Sequence, residues 1–188
     1  MKRQLSLALA ILCVCMLGAM SAAAQDVFKV NYFANNVAGA PDATYRINNP
    51  GTSNGNLCAQ IYVFDNNQEL NECCGCLVTP DGLRTLSVKF NLTNNPLTTV
   101  ITNGDIKIVS SAVNGSPCDP TSNVTPTPSV RVWATHIQNK VGTGYPITET
   151  ESSDATLSTG ELASLQADCY FAQRLGSGRG VCSCGTGD

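Results

Sequence analysis

Leu57-Cys58-Ala59-Gln60-Ile61-Tyr62-Val63-Phe64-Asp65, followed after a short polar turn by Glu72-Cys73-Cys74-Gly75-Cys76, is the stretch on which the fold turns. Ala59 to Phe64 is an unbroken run of strand formers with Gln60 as its one polar member. That pattern belongs to a strand covered on both faces, so other layers must pack on each side of it. The three cysteines that follow are too close in sequence to pair comfortably with one another. A disulfide needs Cα atoms about 4.4–6.8 Å apart and side chains directed toward each other.

Outside an N-terminal segment considered below, the cysteines are Cys58, Cys73, Cys74, Cys76, Cys118, Cys169, Cys182 and Cys184. Eight cysteines allow on the order of a hundred pairings, so connectivity stays open. If Cys73, Cys74 and Cys76 avoid one another, they need three partners among the other five. Only Cys58 and Cys118 lie outside the C-terminal group. At least one bridge must therefore tie the cluster to Cys169, Cys182 or Cys184, pinning the tail to the middle of the domain.

Strand signals surround this centre. Asp26–Phe33 precedes it, with Phe28, Val30 and Tyr32 on one face, and Ala43–Ile47 follows, ended by the turn Asn48-Asn49-Pro50-Gly51. Beyond the cluster, Thr79-Pro80-Asp81-Gly82 reads as a turn, with Pro80 setting φ and Gly82 accepting a positive φ, and Leu83–Leu92 as a strand. Leu97–Thr102 and Asp105–Ala112 flank Asn103-Gly104, a strong hairpin signal. Asn114–Pro128, with four prolines and Cys118, reads as an irregular loop held by its bridge. Val130–Ile137 is another strand and Pro146–Glu151 a polar edge. Ser158-Thr159-Gly160-Glu161 is a capping box that opens a helix over about 159–175, with Leu157 and Leu162 as a hydrophobic staple. Leu162, Leu165, Cys169 and Ala172 share one face of it, and Gly176 supplies its stop. Short strands separated by turns, then one late helix, predict a mainly β protein. The expected fold is an antiparallel β-sandwich, Ig-like or jelly-roll-like, stapled by disulfides, with one C-terminal α-helix.

At the N-terminus, Met1-Lys2-Arg3 precedes an apolar run from Leu5 to Ala19, and Ala22-Ala23-Ala24 precedes Gln25. This is the layout of a secretory signal peptide, residues 1–24, cleaved after Ala24. The run is shorter than the roughly 20 residues of a membrane span. Leu12 and Val14 stand before Cys13 and Cys15, where a lipoprotein signal has a small residue. Residues 25–188 then form a single disulfide-rich domain, secreted, extracellular or periplasmic, with no membrane attachment after cleavage. Removing Lys2 and Arg3 leaves nine basic residues against fourteen acidic, a net charge of −5. Such a surface does not attract phosphates, which argues against nucleic acid as a partner.

The segments Asn56–Ala59 with Ile61–Asp65, Glu72–Cys76, Trp133–Asn139, and Gly176–Gly178 with Gly180–Gly185 resemble a family of secreted, cysteine-rich bacterial proteins with no assigned activity. The resemblance covers most of the mature chain and implies export. It carries over no catalytic residues.

Several patterns bear on chemistry. Cys73-x-x-Cys76 has dithiol-oxidoreductase spacing, but Leu77-Val78-Thr79-Pro80 follows in place of the helix that lowers the thiol pKa. A zinc or copper site from Cys73, Cys76, Cys182 and Cys184 competes with disulfides, which an oxidising compartment favours. His136 is the one histidine, so any triad must use it. No Gly-x-Ser-x-Gly elbow accompanies it. Glu149 and Glu151, about 7 Å apart on one strand face, and Glu69, Glu72 and Asp81 near the cysteines are candidate hydrolytic carboxylates. Trp133 and Tyr145 are candidate sugar platforms. Asp65-Asn66-Asn67-Gln68-Glu69 offers alternating oxygen ligands for calcium, but Leu70 stands where such a loop has glycine and Cys76 where it has glutamate. Asn91, Asn114 and Asn123 lie in N-glycosylation patterns, which predicts exposure.

No cofactor is expected. The leading expectation is a non-enzymatic structural or cell-surface assembly subunit whose partners are copies of itself or cell-surface components. In one version Phe28, Val30 and Tyr32 ride on a strand donated to a neighbouring subunit. The alternatives are a carbohydrate- or calcium-dependent binding module and a secreted hydrolase.

Overall fold

A computed structural model of the chain describes residues 26–175 and 180–185; the expected signal peptide and Gly176 lie outside the described residues. In order, the described elements are β1 (Phe28–Phe33), β2 (Thr44–Asn48), β3 (Leu57–Asp65), β4 (Leu70–Val78), β5 (Leu83–Ser87), a π-turn (Val88–Leu92), β6 (Gly104–Ala112), β7 (Arg131–Ile137), β8 (Ile147–Glu151), β9 (Ser153–Asp154) and α1 (Thr159–Leu175).

The strands make two antiparallel sheets, β4-β3-β6-β1-β9 and β5-β2-β7-β8. Ile61, Val63, Ile106 and Ile108 of the first sheet meet Ile47, Leu86, Val132 and Ala134 of the second in the principal core. Each such aliphatic side chain, taken out of water, contributes about 1.5–3 kcal/mol. A second cluster lies on the outer face of the five-stranded sheet, where Phe28, Tyr62 and Val109 pack beneath Leu165 and Cys169 of α1. The central strand β3 is thus covered on both sides, as its continuous apolar run requires. The protein is a disulfide-linked, mainly β sandwich with one C-terminal helix.

Sandwiches have two open sides, and the chain passes between the sheets at both. On one, β8, paired with β7 in the four-stranded sheet, runs on through Ser152 into β9, paired with β1 in the five-stranded sheet. On the other, residues 180–185 lie between the edge strands β4 and β5. Cys182 N–H donates to the Cys73 carbonyl at 3.2 Å and Ser183 N–H to the Asn91 carbonyl at 2.8 Å. Arg84 Nη1 donates to the Cys184 carbonyl at 3.1 Å. Strand edges that would invite foreign pairing are covered by the chain's own tail.

The structure corrects several sequence-based expectations. Leu97–Thr102 is not a strand, and no hairpin forms at Asn103-Gly104, because β6 is paired on one edge with β3 and on the other with β1. Gly104 is needed for room: a Cβ there would stand 2.0 Å from the Phe64 carbonyl oxygen. The expected strand Leu83–Leu92 stops at Ser87, whose side chain accepts the Phe90 N–H and opens the π-turn. In the turn after β4, Asp81 and not Gly82 takes the left-handed conformation, with φ 59°. On β1, Phe28 and Val30 pack on the outer face beside α1, the half-exposed Tyr32 turns its ring onto His136, and Phe33 reaches the principal core.

Candidate functional site

The cysteine cluster lies wholly within β4, so alternation sends its side chains to both faces. Cys73 points toward α1 and bonds to Cys169; Cys74 and Cys76 point inward and bond to Cys182 and Cys184; Cys58 on β3 bonds to Cys118. The Cα–Cα separations run from 5.1 to 5.8 Å, within the range for disulfides. All three cluster cysteines reach the C-terminal part of the chain, where the elimination argument required one.

This pairing removes the thiol chemistry that the spacing suggested. Cys73 and Cys76 bond to different partners on opposite faces of the strand, so they are not a shared dithiol. The sulfurs of Cys74, Cys76 and Cys184 lie within 4.8 Å of one another, but each is already in a disulfide and offers no thiolate. Cys73 is not with them. A recess of about 390 Å³ beside these bridges is lined by Gly75, Cys118, Gln173 and the cystines.

The candidate carboxylates do not converge. Glu149 and Glu151 lie on the exposed strand β8, and each is engaged across the sheet: Arg46 Nη1 donates to Glu149 Oε1 at 2.6 Å and Arg131 Nη1 to Glu151 Oε1 at 3.4 Å. Asp65 is bound into its own turn, its Oδ1 accepting the N–H groups of Asn67 and Glu69 at 2.8 and 3.0 Å. Glu72 is different. It is fully buried on the inward face of β4, where Asn95 N–H donates to its Oε1 at 2.6 Å, and its Oε2 has no partner among the described residues. Burial pushes its pKa up to about 7, and the N–H groups of Asn95 and Asn94 only partly offset that rise.

His136 lies on the inward face of β7. Its Nε2 and the Thr150 hydroxyl are 2.7 Å apart, Tyr32 stacks on its ring with centroids 4.2 Å apart, and Nδ1 has no partner among the described residues. Burial lowers its pKa, opposed by the nearby Tyr32 carbonyl. Trp133 sits in the middle of its sheet between Arg46 and Glu151. Tyr145 lies beyond the Ile137 end of the same strand, against the core's margin, so the two aromatics form no common platform. Of the glycosylation patterns, which predicted exposure, Asn114 is only partly exposed: its Nδ2 donates to the Asp119 and Ser122 carbonyls and braces the loop around Cys118.

One polar group escaped the sequence reading. Lys29, on the inward face of β1, is 2% exposed, and its Nζ contacts the carboxylates of both Asp26 and Asp154. The signal was present, since a strand that sends Phe33 into the core sends Lys29 and Asn31 there too. Phe28 and Val30 on the other face concealed it.

No described helix is long and apolar enough to cross a membrane. No family model, curated protein or solved structure matches the chain. The resemblance to secreted cysteine-rich bacterial proteins therefore rests on the quoted motifs alone.

Proposed function

We propose that this chain is an exported, non-enzymatic structural subunit of the cell exterior that assembles with copies of itself or with other surface components. One observation carries the reading: three of its four disulfides tie a single strand, β4, to chain lying 96 to 108 residues later. Cross-links spanning such long loops constrain the unfolded chain most, at about 4 kcal/mol or more each in the chain-entropy view. That investment in covalent rigidity suits a building block exposed to proteases and mechanical load. The four disulfides fit an oxidising compartment outside the cytoplasm. The arrangement of polar groups supports the same reading, since Glu149, Glu151, Asp65 and His136 each sit in a separate local network.

The form of assembly follows from which edges are occupied. β1 pairs with β6 along all six of its residues and with β9 through Lys29 and Val30. Donation of Phe28, Val30 and Tyr32 to a neighbour would cost all of those pairs. β8 instead ends its sheet with all five residues exposed, and an open edge of that kind accepts a strand from a partner. Light scattering and electron microscopy of protein isolated from its native exterior test the proposal. Oligomers or fibres are the expected result, and a monomer persisting at high concentration would overturn it.

A further inference from the structure

Lys29 occupies an inward-facing position in the first strand of the domain. Its direct neighbours across the sheet are Ile108 of β6 and Asp154 of β9. Residues directly opposed in an antiparallel pair share a face, so the lysine stem runs beside the buried Ile108 into the sandwich interior. Taking an ammonium out of water costs several kcal/mol, and a buried ion pair seldom recovers that cost in full. The Lys29 nitrogen nevertheless touches two carboxylates, that of its register partner Asp154 and that of Asp26 three residues before it. The side chains of both acids reach the rim, 43% and 32% exposed, whereas that of the lysine is 3% exposed.

This is the arrangement an amide-forming reaction needs: a desolvated amine in contact with one carboxylate, with a second carboxylate on the same nitrogen and an outlet to solvent. We propose that Lys29 Nζ and Asp154 Cγ become joined by an isopeptide bond that the folded chain forms without a co-reactant. Asp26 takes a proton from the Lys29 nitrogen, whose lone pair attacks Asp154 Cγ. The tetrahedral adduct collapses to the amide as one Asp154 oxygen departs. The two protons that leave nitrogen end on that oxygen as water, relayed by Asp26, which finishes unchanged. The ammonium and the carboxylate become one neutral amide and a water molecule, so charge and atoms balance and nothing is oxidised or reduced. The product removes two charges from a poorly solvated position and fastens β1 to β9. That cross-link stands at the end of the five-stranded sheet opposite the strand that the disulfides secure. The inference does not depend on the assembly proposal.

The test is the intact mass of the mature exported protein after complete reduction, with a tryptic map of the same sample. The bond predicts a chain lighter than its sequence by one water, no cleavage after Lys29, and a branched peptide joining the segments around Lys29 and Asp154. Lys29→Arg and Asp26→Asn chains that still oxidise all eight cysteines are expected to show full mass. A wild-type chain of full mass that trypsin cuts after Lys29 overturns the proposal, and so does a water loss mapped to an unbranched peptide. A branched peptide in the Asp26→Asn chain overturns the relay assigned to Asp26. The wild-type measurement decides the main point even if a variant fails to fold.

Discussion

Gly75 faces the Cys118 carbonyl so closely that a Cβ built on it would stand 2.3 Å from that oxygen, and 2.5 Å from Gln60 Oε1. The one residue separating the inward cysteines 74 and 76 is therefore glycine because the Cys118 loop crosses directly over it, held by the Cys58–Cys118 bridge. Gly75→Ala is expected to destabilise the protein by about 1–3 kcal/mol, the usual cost of forcing atoms into a packed site. Thermal unfolding of the oxidised variant checks this, and an unchanged midpoint would mean that the loop yields freely.

Glu72 sets a pH dependence. Its folded-state pKa of about 7 stands above its ordinary value of 4.5, so the folded protein holds this proton more tightly than the unfolded chain does. The associated stability is present in full below about pH 4.5 and is lost as the pH rises through about 7, a decline on the order of 3 kcal/mol. Glu72→Gln keeps an acceptor for Asn95 N–H and removes the charge. It is expected to raise the denaturation midpoint at pH 8 and to flatten the slope between pH 5 and pH 8. Equal slopes in the two proteins would show that another group governs this range.

His136 acts in the opposite sense at lower pH. Its lowered pKa means that the folded state resists protonation, so stability present above the unfolded value near 6.5 falls as the solution is acidified below it. NMR titration is expected to place its midpoint below the ordinary histidine range. A midpoint at or above 6.5 would mean that the imidazole is solvated.

Tyr45 is fully buried, and its hydroxyl has no hydrogen-bond partner among the described residues. Its phenol pKa is raised, first by burial and then by the Asp105 charge. Tyr45→Phe removes an unpartnered polar group from the core and is expected to leave stability unchanged or raise it by up to about 1 kcal/mol. A loss exceeding that amount would show that the hydroxyl is satisfied by a bound water.

The helix tests the role of a single bridge. Only Leu165 and Cys169 of α1 are buried, so the apolar contact holding it to the sheet is small. Replacing both Cys73 and Cys169 with serine is expected to speed amide exchange across 159–175 while β3 and β6 stay protected. Uniformly fast exchange would indicate that the bridge supports the whole fold.

How far the sequence could be read depended on whether a signal was local. β3 was legible to the residue because Ala59–Phe64, apolar or aromatic except at Gln60, needs cover on both faces. The N-terminal cap of α1 was legible because Ser158 Oγ does accept the Glu161 N–H, at 3.0 Å. The Glu161 carboxylate, expected to complete the box, pairs instead with Lys107 on β6, a partner 54 residues away that the capping pattern cannot reveal. Asn103-Gly104 misled for the same reason, since remote strands occupy both edges of β6. On β1, large apolar side chains point to both faces, so a period of two could not show which face is inward. Lys29 was hidden by that ambiguity. The cysteine count required one link to the tail and left the pairing open, because connectivity is settled only when β4 turns its neighbours to opposite faces.

The most direct test of the account is a non-reducing peptide map of the protein taken from outside the cell. It is expected to show no free thiol among the eight cysteines and the pairs Cys58–Cys118, Cys73–Cys169, Cys74–Cys182 and Cys76–Cys184. Reduced cysteines in the cluster, or zinc held by them, would contradict it.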